Sequence, residues 1–185
     1  MSVANTNPVP SPAEPVTPIA GFSRCHAGIL AQLDASAELP ALAEAAEWAR
    51  RVATDTLAMF DPGVLEHHTD EEGDLFPAVL RDAVKGTERE RVGAMVQQLT
   101  HEHRLIESLW KRVKPALKLI AHGKPAELDT AAMNELVTMY ADHARYEEQE
   151  FLPLAQEILG RNDLHLAALG VSLHVRHVHL PVGYI

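Results

Sequence analysis

Two segments of the chain place histidine and glutamate at a spacing that suits metal binding. One starts at His67 and the other at His143, 76 residues later, and both read H-x-x-x-E-E-x-x-[LF]-[FL]-P. Residues four apart lie on the same face of a helix. The repeat therefore pairs His67 with Glu71 and His143 with Glu147. Imidazole and carboxylate together are ligands for iron, manganese or zinc.

Apolar residues at steps of three and four extend each pair into a row. The two rows are Leu57, Phe60, Val64, His67, Glu71, Leu75, Ala78 and Met133, Leu136, Tyr140, His143, Glu147, Phe151, Leu154. Such rows face the interior of a helical protein. A carboxylate buried there without a partner is costly, and neither row contains Lys or Arg. Packing alone does not explain the two glutamates.

Two further histidines fit the same arrangement. His26 precedes His67 by 41 residues, and His103 precedes His143 by 40. His103 is central in a third row, which is Val92, Val96, Leu99, His103, Ile106, Trp110 and Val113. The predicted metal ligands are His26, His67, Glu71, His103, His143 and Glu147. Four histidines and two glutamates fit two ions, about 3.5–4 Å apart, with the glutamates as bridges.

Several neighbouring residues are less well placed to bind the metal ions. His68 and Glu72 also have a four-residue spacing, but their face is rotated by about 100° from the row. We expect them beside the ligands or in solvent. Glu107 and Glu148 stay open as further ligands, and His101 has polar neighbours. His174, His177 and His179 could form a small surface site, against the simpler interpretation of an exposed tail.

The elements that must position these residues are all helices. The apolar period predicts helices over about 19–36, 40–84 with a bend at 61–63, 87–122 and 126–159. The predicted fold is all-α, an up-down-up-down four-helix bundle with an internal two-helix duplication. Its predicted domains are a disordered Pro-rich tail over 1–18, the bundle over 19–160 and a C-terminal extension over 161–185.

Composition narrows the classes of function. The 185 residues carry a formal net charge of −10, which disfavours nucleic acid as a partner. A single cysteine excludes an internal disulfide framework. The first twenty residues hold five prolines and lack the basic start of a secretory signal. Without an apolar run long enough for a membrane span, we expect a cytoplasmic protein with no membrane partner.

On these residues the chain resembles the hemerythrin-like family, the HHE cation-binding domain. The marks are His26, His67-x-x-x-Glu71 before Leu-Phe-Pro, Glu102-His103, and His143-x-x-x-Glu147 before Pro153. The resemblance implies a four-helix bundle and two iron ions in a non-heme centre, bridged by oxo, hydroxo or water. Ferritin-like bundles instead use Glu-x-x-His pairs, and no histidine here follows a glutamate at that spacing.

The chain departs from the oxygen carriers of that family. Those proteins have a second histidine on the third helix, whereas Leu99 and Glu107 flank His103 here. This departure favours a di-iron-binding protein that senses, buffers or handles iron, dioxygen or nitric oxide. The alternative is a di-iron enzyme for peroxide or nitric oxide reduction, or for iron–sulfur cluster repair. No flavin, rubredoxin-like or CxxC segment would supply its electrons, so binding is favoured over catalysis, and the redox partner stays unknown.

Overall fold

The computed structural model describes residues 18–162, and every regular element in that range is helical. The all-α prediction is therefore confirmed. The Pro-rich tail and the predicted site at His174, His177 and His179 lie outside the described residues. The α-helices are α1 (Pro18–Ala37), α2 (Leu39–Ala58), α3 (Leu65–Asp70), α4 (Phe76–Asp82), α5 (Thr87–Ala121), α6 (Thr130–Tyr146) and α7 (Leu152–Leu159).

The chain divides into two units, the first of which ends at Ala45. Its described part comprises α1 and the start of α2. An apolar row is exposed on α1, and its members are Ile19, Phe22, Ile29 and Leu33. His26, in the same row, is exposed as well.

The second unit begins at Ala46 and contains two apolar clusters. One cluster includes Phe76, Val79, Val92, Leu99, Phe151 and Ile158. The other includes Phe60, Val64, Ile106, Trp110, Val113 and Leu136. On α5, His103 lies between Leu99 of the first cluster and Ile106 of the second, and all three are buried. Fully burying a large apolar side chain is worth about 1.5–3 kcal/mol, so both clusters hold this histidine firmly in place.

The helix predicted from Pro40 to Val84 is interrupted twice, and this corrects the sequence interpretation of one bent helix. A π-helical turn over Met59–Val64 contains Asp61 with non-helical dihedrals, φ −110° and ψ 91°. Asp61 accepts a hydrogen bond from Trp110 Nε1 at 3.0 Å and forms an ion pair with Lys114. These contacts with α5 fix the position of the kink.

A second π-helical turn covers Glu71–Leu75, and a third covers Glu147–Phe151. A π turn accommodates one residue more than an α turn and so shifts the face that follows. After Glu71 the next fully buried residue is accordingly Phe76, while Leu75, which the predicted row contained, is half-buried.

The starts of α5 and α6 follow from local sequence. Gly86 precedes α5 with φ 101°, a conformation that favours glycine. The side chain of Asp129 accepts a hydrogen bond from Ala132 N at 2.9 Å, so α6 begins at Thr130 rather than near residue 126. Among the described residues, no helix combines the length and apolarity that crossing a bilayer requires.

Candidate metal centre

Four of the predicted ligands meet in the interior of the second unit. Glu71, His103, His143 and Glu147 are all buried, and each offers one ligand atom within 4.8 Å of the others. His103 comes from α5 and His143 from α6. The two glutamates are the first residues of the two matching π turns. The duplicated motif thus contributes equivalent carboxylates from both halves of the unit.

Each buried histidine of this group is oriented by a second carboxylate. His103 Nδ1 lies 2.8 Å from Glu72 Oε1, and His143 Nδ1 lies 2.9 Å from Glu102 Oε2. A carboxylate only accepts hydrogen bonds, so Nδ1 carries the proton in both rings. In the neutral ring Nε2 then keeps its lone pair. Carboxylates in this position fix the tautomer and the ring direction of metal-binding histidines.

The free Nε2 atoms point toward the two central glutamates. His103 Nε2 lies 3.4 Å from Glu71 Oε2, and His143 Nε2 lies 3.7 Å from Glu147 Oε2. Neither nitrogen forms a hydrogen bond. The Nε2 nitrogens and the carboxylate oxygens therefore face one another without a hydrogen bond between them, an arrangement that suits a metal ion.

Buried polar atoms without a hydrogen-bond partner are concentrated around the two central glutamates. Among the described residues, the buried side-chain atoms without a hydrogen-bond partner are Arg89 Nε, both ring nitrogens of His68, Glu71 Oε2, His103 Nε2, His143 Nε2 and Glu147 Oε1. Buried polar groups are normally paired, and each exception calls for a cause such as a bound ion. All except Arg89 Nε belong to the candidate centre. The nitrogen and oxygen donors fit iron, manganese or zinc.

Without a metal ion, the pKa values of Glu147, His68 and His143 are shifted toward the neutral forms of these groups. Burial and the neighbouring carboxylate of Glu71 raise the pKa of Glu147 to about 8. Burial, together with the adjacent imidazoles, lowers the pKa of His68 to about 3. Burial also lowers the pKa of His143, which Glu102 only partly opposes. The interior disfavours charge on these groups unless a cation compensates the carboxylates.

Burial lowers the pKa of His103 too, but the carboxylates of Glu71 and Glu72 outweigh this effect and leave it above its usual value. Burial and the charges of Glu71 and Glu147 raise the pKa of Tyr140, whose ring lies 6.1 Å from that of His143. Negative potential therefore dominates around the two central glutamates, as a cation site requires.

The structure places His67 and its neighbour differently from the sequence interpretation. His67 Nε2 lies 3.2 Å from Glu71 Oε1, but the His67 side chain is 46% exposed. His68, expected beside the ligands or in solvent, is 1% exposed and stacks on His103 with ring centroids 3.8 Å apart. The buried positions run Phe60, Val64, His68 and Glu71, so the predicted row differs from the structure only where His68 replaces His67. Both histidines lie three or four residues from Val64 and from Glu71, and the apolar period alone therefore did not distinguish them.

The other residues considered as metal ligands differ in their exposure. His26 lies exposed on α1 in the first unit, and its role as a ligand stays a prediction. Glu107 is partly buried, with Oε1 3.8 Å from His68 Nδ1. Glu148 and His101 are exposed.

A cavity of about 230 Å³ adjoins the two central carboxylates. Glu71 and Glu147 line it with Tyr140, and apolar atoms of Leu75 and Leu152 contribute to its wall. The volume suits a small molecule rather than a large substrate.

The fold and the site define a helical protein with a buried histidine–carboxylate group suited to metal ions. Comparison with known families agrees, because the family model described as the hemerythrin HHE cation binding domain matches residues 17–155. The chain belongs to the hemerythrin HHE cation-binding family. A comparison with curated proteins found no significant match, and neither did a comparison with solved structures.

Proposed function

We propose that the protein is a non-heme di-iron module that senses, buffers or handles iron, dioxygen or nitric oxide. The observation that carries the proposal is the group of unpartnered buried donors on Glu71, His103, His143 and Glu147. Cation binding is the activity for which the family is described. Bound iron would supply electron exchange and coordination positions for a diatomic ligand.

The protein's own residues would prepare the site before any metal arrives. Glu72 and Glu102 hold the two rings so that Nε2 faces inward. Glu71 and Glu147 supply negative charge that offsets part of the charge of two divalent ions. Because Glu147 has a raised pKa, metal binding near neutral pH would release its proton.

A complete four-helix bundle is part of this proposal. The row Ile19, Phe22, Ile29 and Leu33 on α1 is apolar, and such a face is typical of a helix that packs in a bundle. The proposed ligand set is the one that the sequence predicts, which is His26, His67, Glu71, His103, His143 and Glu147. The two-iron stoichiometry follows from that set.

The direct test is repeated exposure of the anaerobic ferrous protein to oxygen and to vacuum, followed by optical absorption. With four histidines predicted instead of the five of the oxygen carriers, we expect irreversible oxidation in air and nitric oxide binding by the reduced form. Glu147→Gln should lose the optical change, whereas Glu148→Gln, an exposed neighbour, should keep it. Full recovery over many cycles would instead indicate oxygen carriage. Catalytic turnover of peroxide or nitric oxide with an added electron donor would favour the enzyme alternative.

A further inference from the structure

His68 is the most anomalous buried side chain in the described part of the chain. It is 1% exposed, and neither ring nitrogen has a hydrogen-bond partner. A histidine that only fills a core normally bonds its N–H to a backbone or side-chain acceptor. His68 Nδ1 instead lies 3.8 Å from Glu107 Oε1, which is too long for a hydrogen bond.

The direction of the His68 ring follows from its neighbours. The rings of His68 and His103 are parallel within 6°, with centroids 3.8 Å apart. Their Nδ1 atoms face Glu107 and Glu72, respectively. Arg104 forms ion pairs with both of these glutamates, so the two Nδ1 atoms point to the same side.

The two Nε2 atoms consequently face the opposite side, toward the interior. There His103 Nε2 approaches Glu71 Oε2, and one ring nitrogen from each of His68, His103 and His143 lies within 4.8 Å of the others. Lone pairs on two parallel rings do not converge on one ion. Their 3.8 Å separation matches the roughly 3.5–4 Å between the ions of a dinuclear site.

We propose that His68 is a metal ligand, binding the second ion of the pair while His103 binds the first. Glu107 moves closer and accepts a hydrogen bond from His68 Nδ1, as Glu72 does from His103. His67, on the exposed side of Glu71, is then dispensable for binding. This assignment rests on the proposed dinuclear centre, and it replaces one ligand that the repeat predicts with the adjacent residue.

The first test uses the wild-type full chain, so it does not depend on a variant that folds. Imidazole nitrogen resonances are recorded by ¹⁵N NMR on the metal-free protein and after addition of Zn²⁺. We expect the His68 Nε2 resonance to shift with those of His103 and His143, while the His67 resonances stay in place. A shift at His67 with none at His68 would overturn the assignment.

The second test compares His68→Phe with the control His101→Phe, at an exposed position of α5. Phenylalanine at position 68 keeps a flat ring against His103 but offers no nitrogen. Zn²⁺ titration should show the second ion weakened more than about tenfold in His68→Phe, the least that loss of even an orienting partner causes. His101→Phe should bind both ions like the wild type. Two ions bound with unchanged affinity by His68→Phe would refute this inference alone, whereas a wild type that binds no metal would refute the proposed function as well.

Discussion

The two copies of the H-x-x-x-E-E motif share a sequence pattern but present their histidines differently. His143 is 2% exposed and hydrogen-bonded to Glu102, whereas the equivalent His67 is 46% exposed. Both motifs continue into a π turn that starts at the motif glutamate. They differ upstream, because α6 is uninterrupted while the first copy follows the turn at Met59–Val64.

This comparison teaches that a periodic motif limits the buried face without selecting between adjacent residues. Val64 and Glu71 are seven residues apart, and the buried face of the helix can pass between them through His67 or through His68. Contacts with another helix decide the choice, because the ring of His68 stacks on His103 of α5.

The largest expected effect involves both halves together. Removing the metal leaves Glu71 and Glu147 buried without a cation, so the free energy of unfolding should fall. Ligand binding to the folded state alone adds about 4 kcal/mol at a thousandfold excess over Kd. Urea denaturation of metal-free and metal-saturated protein measures the difference. Equal stabilities would contradict a shared site, and Glu147→Gln should show a much smaller gap.

The next effect is confined to the first half, where the kink depends on Asp61. Asp61→Ala removes the acceptor of Trp110 Nε1 and the partner of Lys114. We expect a loss of about 1.5–3 kcal/mol, typical of hydrogen bonds to a charged group. Asp142→Ala, which removes an exposed ion pair with Arg145, should cost less than about 1 kcal/mol. Similar losses in the two variants would show that the kink is not anchored by Asp61.

A third prediction compares the two orienting carboxylates, Glu72 from the first motif and Glu102 from α5. Glu72→Ala frees the ring of His103, and Glu102→Ala frees that of His143. Each should weaken metal binding about 10–100-fold, with the fold retained. Isothermal titration with Zn²⁺ measures this, with Glu150→Ala as an exposed control. An unchanged affinity in either variant would mean that the ring it frees needs no orienting partner.

A fourth effect is the pH dependence of the metal-free protein. Folding raises the pKa of Glu147 from 4.5 to about 8, so the fold favours its protonated form. Stability from this group is complete below pH 4.5 and is lost as pH rises toward 8. His68 acts in reverse, because its lowered pKa costs stability as pH falls from 6.5 toward 3. The raised pKa of His103 also lowers stability as pH rises above 6.5. Glu147→Gln should therefore reduce the decline above pH 6.5 in thermal melts, and an unchanged decline would contradict a contribution from Glu147.

Much of the fold was predictable because its determinants are local. The period of apolar residues gave α5 its bounds, and Gly86 marked its start. The rows through His103 and His143 also hold, since α5 and α6 contain no interruption before these residues. Glu71 and Glu147 were predictable because buried carboxylates within apolar rows need a partner.

The rest depends on contacts that a sequence pattern does not contain. The burial of His68 depends on its ring stacking on His103, which belongs to a different helix. The orienting role of Glu72 likewise depends on the approach of α5 to the motif. Long-range contacts therefore decide which of two adjacent histidines is buried.

The metal content of the native protein tests the central claim most directly. Elemental analysis should find about two metal ions per chain, with iron predominant. His103→Ala should lose at least one ion, while His101→Ala, whose histidine is exposed on the same helix, should keep both. A native protein with a single zinc and no second metal, or loss of metal in His101→Ala alone, would contradict the account.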